Sequence, residues 1–354
     1  MGKRRLGLLA LGGAAGAVGA LALREGLQRR SDRFHFEAGR EYWRLSYPPE
    51  YVEWVEEHLT TYHIPAGDVG IHLDVYPQSE RTAPVVILVH GLMTYGRLFV
   101  QIAHALYERG YTVVCTDIVG NGYSGGVRGD CPVGPATASV VQCALWVRQR
   151  FDGPLYMLGI SLGGAIVYAA AAAGAPVSAI SCLDLFLFDD PVGLRRMVVQ
   201  PRLIGLLPLL RLLAVPFGWV RVPTSLLNTL EHVVAPEEQG TAQAWMFDPL
   251  LTHQLTLRTL VSAASTHPAV QPERNTVPTL VMNQECDQVL DPAVTRAVYG
   301  RLGGPKKYVE FAGSPHWSFT HAFQDRIAAE SDAWFQRYGA QTHAPSTAVV
   351  GHSV

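Results

Sequence analysis

From residue 69 onward the chain alternates short, continuously apolar runs with longer stretches of helical character. The runs are VGIHLDVY (69–76), VVILVH (85–90), TVVCTDI (112–118), LYMLGI (155–160), VSAISCLDLF (177–186), VPTLVMNQ (277–284) and KYVEFAG (307–313). Strands apolar at consecutive positions are buried on both faces, which is the signature of a parallel sheet covered by helices. The spacing predicts those helices over 98–109, over 136–150, in the Ala-rich stretch after 162, and over 321–337. The pattern therefore reads as an α/β chain with a mostly parallel, doubly wound sheet and a core over 67–186 and 265–338. Residues 187–264 interrupt it and read as an inserted helical cap. Residues 31–66, with Tyr42, Trp43, Tyr47, Tyr51 and Trp54 among charges, read as a lead-in packed on the core, with a helix starting after Pro48-Pro49. Residues 339–354 carry no Lys, Arg, Asp or Glu and read as a loose tail.

The first thirty residues follow neither pattern. Lys3, Arg4 and Arg5 precede an uncharged run from Leu6 to Leu23, ended by Arg24. As a helix that run would measure about 27 Å, close to a hydrocarbon core of about 30 Å, so residues 1–30 are expected to be a signal or membrane anchor. Arg4-Arg5 before a Gly/Ala-rich run resembles a twin-arginine export signal, and Ala20-Leu21-Ala22 suits a signal peptidase. The expected location is therefore membrane-associated or exported rather than cytoplasmic.

Composition narrows the partners. Charged residues make up 16% of the chain, and 28 Lys plus Arg against 30 Asp plus Glu leave a net charge of -2, so no basic surface for nucleic acid is implied. Cys115, Cys131, Cys143, Cys182 and Cys286 form no CxxC pair and are odd in number, against a zinc knuckle or a full disulfide framework. No HExxH and no clustered His and carboxylate ligand set is evident, so no metal and no cofactor is expected.

Two GxSxG matches compete for a nucleophile: Gly122-Tyr123-Ser124-Gly125-Gly126 and Gly159-Ile160-Ser161-Leu162-Gly163. Such an elbow needs a strand ending at the Ser, a strained turn that lifts the hydroxyl clear, and a helix beginning behind it. Ser161 has the strand 155–160 before it and a helical run after it. Ser124 follows Gly120-Asn121 and leads into a Gly/Asp/Pro stretch. The GxGxxG match at Gly120, Gly122 and Gly125 fails for the same reason, since no helix N-terminus follows to hold a pyrophosphate. A serine hydroxyl needs an imidazole to take its proton and a carboxylate to fix the imidazole tautomer. His316, in a Gly/Pro loop after the strand 307–311, is the expected base, and His321 is read as a surface or capping residue. Asp287, just beyond the strand 277–284, is the expected carboxylate. Glu285 and Asp291 are its fallbacks, and Asp184, Asp189 and Asp190 are further candidates read as a hinge of the cap.

These motifs together resemble the α/β-hydrolase superfamily over about residues 67–338. Within it the chain is similar to the monoacylglycerol lipase and lysophospholipase group related to the serine aminopeptidases. His90-Gly91 resembles the family's HG oxyanion motif, and Asp117-Ile118-Val119-Gly120-Asn121-Gly122-Tyr123-Ser124 its DxxGxGxS loop. Gly159 to Gly164 resembles its GHSMGG elbow with Ile160 in place of His, and Asp248-Pro249-Leu250 a DPL element of the cap. The resemblance implies an α/β-hydrolase fold and a Ser161, Asp287, His316 triad. It also implies an oxyanion hole made by the backbone N–H groups of Leu92 and Leu162.

The stretch 198–222 has only Arg202, Arg211 and Arg221 as charges. Pro208, Arg211 and Pro216 argue against a membrane span, and it reads as a lid helix that lines an acyl pocket and dips into a lipid surface. Leu209 and Leu213 are expected to govern acyl-chain selectivity. The function expected is hydrolysis of carboxylic esters, lipid-like in character, with a small-molecule acyl ester or lipid as substrate and a membrane surface as partner. A small-ester hydrolase or aminopeptidase on the same catalytic residues, and a non-catalytic binding module, are the alternatives. The oligomeric state is not legible.

Overall fold

The computed structural model describes residues 39–197, 205–227 and 229–339. The expected signal or anchor (1–30) and almost all of the tail lie outside these residues, as do the start of the lead-in and part of the apolar cap stretch.

Eight strands form one sheet in the order β1-β2-β4-β3-β5-β6-β9-β10. They are β1 (Thr60–Ala66), β2 (Val69–Tyr76), β3 (Val85–Val89), β4 (Thr112–Thr116), β5 (Leu155–Ile160), β6 (Ala179–Leu183), β9 (Thr279–Gln284) and β10 (Lys306–Phe311). From β4 to β10 every pairing is parallel, and β1 and β2 add an antiparallel edge. β3 is fully buried because its alternate side chains serve two cores. Ile87 and Val89 face one hydrophobic cluster, and Val86 and Leu88 face the other.

One face carries α3 (Val133–Arg148) and α4 (Leu162–Ala172). The other carries α1 (Pro49–His58), α2 (Val100–Tyr107) and α11 (His321–Phe335). α1 begins with Pro49 at its first turn, as the Pro-Pro pair predicts.

The lead-in differs from its expected role. Residues 60–66 are the outermost strand of the main sheet, so the sheet begins before residue 67. β1 was illegible because its side chains are mostly exposed and His63 and Pro65 break the apolar run, whereas an edge strand needs only one paired side.

Between β6 and β9 the chain builds α5 (Pro191–Met197), α6 (Leu207–Phe217), β7 (Arg221–Pro223), α7 (Leu230–Val233), α8 (Gln239–Trp245), β8 (Gln254–Thr256) and α9 (Leu257–Ala263). β7 and β8 pair antiparallel as a separate small ribbon. α10 (Pro292–Arg301) then connects β9 to β10. Among the described residues no helix is long and apolar enough to cross a membrane. The strand order places the loops after β3 and β5 side by side where crossovers diverge in opposite directions, the crevice where open α/β sheets hold their ligands.

Candidate active site

The turn after β5 is built around Ser161, whose backbone has φ 52° and ψ -117°, a left-handed conformation costly for a residue with a Cβ. The N–H of Ser161 donates to the Leu183 carbonyl at 2.7 Å, and α4 starts at the next residue. The glycines around it are steric necessities. A Cβ on Gly159 would lie 2.2 Å from the Gly163 carbonyl oxygen, and one on Gly163 would lie 2.2 Å from that of Val89.

His316 reaches this hydroxyl from the loop after β10, with Nε2 at 3.1 Å from Ser161 Oγ. Its Nδ1 lies 2.7 Å from Asp287 Oδ2. Asp287 Oδ1 accepts the N–H groups of Val289 and Leu290 at 2.7 and 2.9 Å, which fixes the carboxylate. Gln284 Nε2 donates to the His316 carbonyl at 2.6 Å and holds the loop on β9. Burial alone would disfavour the imidazolium. The charge of Asp287, its hydrogen bond and the charge of Asp184 outweigh it, and the His316 pKa is pushed up to about 9.

The loop after β3 closes the other side. A Cβ on Gly91 would stand 3.3 Å from the Ile160 carbonyl oxygen and 3.5 Å from Ser161 Cβ, so the backbone leading to Leu92 passes directly beside the elbow. His90 fixes that loop. The N–H of Ile118 donates to its Nε2 at 3.0 Å, which leaves the ring proton on Nδ1 to donate to the Gly91 carbonyl at 2.8 Å. Burial lowers the His90 pKa and keeps this tautomer neutral. Met93 continues in a left-handed conformation (φ 70°), and its carbonyl accepts the N–H of Thr252 from the cap at 2.8 Å.

The other candidates serve different ends. Ser124 Oγ donates to the Asp117 carbonyl and accepts the N–H of His72, and so pins a loop to the sheet edge. Glu285 accepts the N–H of Gly313, while Asp291 caps α10 and pairs with Arg196. Asp189 pairs with His267, and Asp190 accepts the N–H of Val192. His321 is exposed at the start of α11. Asp184 does not behave as a hinge residue: it is fully buried, with Oδ2 at 3.4 Å from His316 Nδ1.

Asp184, Asp287 and His316 do form a cluster of three ligand-type side chains, which the sequence reading did not expect. The 2.7 Å contact between His316 and Asp287 is a hydrogen bond and leaves no space for an ion between those atoms.

Ser161 opens onto a cavity of about 560 Å³ between the sheet and the cap. Among the described residues its only lining groups that carry charge near neutrality are Asp184 and His316. The rest is mostly apolar, interrupted by Thr94, Cys131, Thr224 and Thr259, with Phe186 and Ile166 from the core side and Leu210, Leu227 and Leu260 from the cap. Leu209 and Leu213 do not line it. Both are exposed, and Leu206, Leu207 and Leu210 line the cavity instead. The cap also grips the His316 loop: the N–H of Trp317 donates to the Val233 carbonyl, and Glu238 accepts from Ser318 Oγ and from the N–H of Phe319.

The family described as serine aminopeptidase, S33, matches residues 80–320. Among solved structures the chain is similar to the monoacylglycerol lipase of Paleococcus ferrophilus, with 19% identity, a TM-score of 0.62, and coverage of 74% of this chain and 98% of that one. It is also similar to a soluble variant of the monoglyceride lipase from Saccharomyces cerevisiae in complex with a substrate analog, with 15% identity, a TM-score of 0.64, and coverage of 80% and 96%. A highly thermostable carboxyl esterase from Bacillus coagulans, in complex with glycerol, gives 18% identity, a TM-score of 0.63, and coverage of 79% and 99%. No curated protein matches significantly in sequence. At such identities the solved structures speak for the fold. The family match spans both the strand that ends at Ser161 and the loop that carries His316, and by it the chain belongs to the serine aminopeptidase S33 family of α/β-hydrolases.

Proposed function

We propose that this chain is a serine hydrolase that cleaves carboxylic esters with a long apolar acyl group, such as a monoacylglycerol or lysophospholipid. The observation that carries the reading is the Ser161 hydroxyl, hydrogen-bonded to His316, opening onto a large cavity whose wall is almost wholly apolar. Ser161 Oγ attacks the ester carbonyl while His316 Nε2 takes its proton, and Asp287 holds Nδ1–H and stabilises the imidazolium. The tetrahedral oxyanion is received by the backbone N–H groups of Leu92 and Leu162, which flank the serine from the β3 loop and the α4 N-terminus. His316 then gives its proton to the leaving alcohol, and water reverses the sequence on the acyl-enzyme.

An aminopeptidase needs a carboxylate to receive a free α-ammonium. Among the described residues the cavity wall offers only Asp184, which lies behind His316. The exposed apolar face of α6 supports a membrane surface as the place of action, with Leu212 69% and Val215 85% exposed. An N-terminal anchor or signal over residues 1–30 fits the same picture. A fluorophosphonate probe is expected to label the wild-type protein and not Ser161→Ala. Labelling that survives Ser161→Ala and is lost in Ser124→Ala overturns the assignment.

A further inference from the structure

Asp184 follows β6 directly in a left-handed conformation (φ 66°), and its carboxyl lies beside His316. It is completely buried. Its Oδ1 accepts from Asn283 Nδ2 at 3.1 Å, while Oδ2 has no hydrogen-bond partner and faces His316 Nδ1 at 3.4 Å. A buried carboxyl oxygen without a donor is costly to keep, and such an atom beside a functional imidazole calls for a role. Asp287 holds Nδ1 at 2.7 Å, so one imidazole nitrogen stands before two carboxyl groups, one just after β6 and one in the loop after β9.

We propose that Asp184 is a second positioning carboxyl for His316, sharing the hold on Nδ1 with Asp287 and able to take it over when Asp287 is neutralised. The inference rests on the serine-hydrolase reading above only in assigning His316 as the base.

The groups that face Asp184 are Asp287, from the loop after β9, and His316, from the loop after β10. Asn283 adds a neutral donor, the Gln284 amide lies nearby, and Cys182 and Tyr308 feel its charge from β6 and β10. Burial pushes the Cys182 thiol up and the Tyr308 phenol up to about 12, so neither carries charge near neutrality. Burial and then the charge of Asp287 push the Asp184 carboxyl itself up to about 7 against the pull of His316, Asn283 and Gln284. Asp184 is thus largely ionised across the range in which His316 titrates. When His316 takes the Ser161 proton, both carboxyl groups lie beside the imidazolium, and the proton stays on the ring.

Two measurements test this. In protein with ¹⁵N-labelled histidine, Asp184→Asn removes a negative charge beside His316, so the His316 titration is expected to move down by about 1 unit. A packing role for Asp184 would not move it, and an unmoved titration overturns the proposal. This readout does not depend on catalysis, so it stands apart from the fate of the serine-hydrolase reading, which Ser161→Ala decides. The second measurement is kcat/KM on a soluble short-chain ester. Replacing the sole carboxylate of such a unit by its amide costs about 10⁴-fold. Asp287→Asn is expected to lose only about 10- to 100-fold, and the double Asp184→Asn, Asp287→Asn variant the full 10⁴-fold. Thermal melts report whether each variant is folded. A folded double variant less than tenfold below Asp287→Asn overturns the proposal, and if Asp287→Asn does not fold the titration alone decides.

Discussion

Leu210 and Leu213 lie one turn apart on α6, but the first lines the cavity and the second is exposed and does not. Replacing each in turn by Asp therefore separates the acyl pocket from the exposed side of α6. Each methylene removed from water contributes about 0.8 kcal/mol, close to fourfold in kcat/KM if all of it is realised in the transition state. From butanoyl to octanoyl this sets a ceiling of about 3.2 kcal/mol, or about 200-fold, and half that energy still gives about 15-fold. A cavity of about 560 Å³ has room for such a chain, so the slope persists to octanoyl and beyond. Leu210→Asp places a carboxylate in that wall and brings water with it, because an ion buried without a partner costs several kcal/mol. The octanoyl to butanoyl ratio is expected to collapse to below about threefold, with butanoyl turnover nearly unchanged. Leu213→Asp is expected to leave the ratio intact on monomeric p-nitrophenyl esters and to weaken sedimentation with anionic vesicles. Equal slopes in wild type and Leu210→Asp, or a collapse produced by Leu213→Asp instead, would refute the placement of the acyl chain.

Catalysis requires neutral His316, so a pKa pushed up to about 9 places the acid limb of kcat/KM on the alkaline side; activity is expected to rise with pH through neutrality, and a limb below pH 6 contradicts the double-carboxylate environment. Arg97 pairs with fully buried Asp74 through both Nε and Nη2, and Arg97→Met is expected to lower unfolding stability by about 3–5 kcal/mol in urea titration, with a loss under about 1 kcal/mol counting against the pair. Glu238→Ala is expected to lower kcat about tenfold with little change in KM, and Glu238→Gln to restore most of it because the amide oxygen accepts the same two donors; identical kcat values in all three proteins would show that the cap does not hold the His316 loop. A chain beginning at Ser31 is expected to hydrolyse soluble esters at the wild-type rate while leaving the membrane fraction, and unchanged fractionation would remove the anchoring role of residues 1–30.

What the sequence made legible follows from what writes a periodic signal. The buried strands are continuous apolar runs because both their faces are covered, and the elbow announces itself because a strained serine between two close-packed backbones tolerates only Gly at its flanks. From β5 onward the sheet order runs with the chain order, and the apolar runs that become β9 and β10 place Asp287 and His316 just beyond the ends of two late strands. β1 was missed because an exposed edge strand carries no alternation. The cavity-facing side of α6 was assigned wrongly, to Leu209 and Leu213, because a helix apolar all round gives no sign of which face is covered. Asp184 was read as a hinge because nothing local marks it. Its role depends on a left-handed turn and on two loops that arrive from more than a hundred residues downstream.

The cap is more than a cover over the cavity. It reaches the β3 loop through Thr252 N–H on the Met93 carbonyl, and the His316 loop through Trp317 N–H on the Val233 carbonyl and through Glu238. The backbone beside the oxyanion position and the base that serves Ser161 are thus held by the same insertion, which also supplies much of the acyl wall. A cap displaced by a lipid surface would shift both loops together, because these contacts are direct hydrogen bonds, two of them backbone to backbone and two to the Glu238 carboxylate. Pocket shape and catalytic geometry are therefore coupled in this fold. Substitutions in α7 or in the turn that carries Glu238 are expected to act on kcat as well as on acyl selectivity, whereas changes confined to the outer face of α6 act on neither.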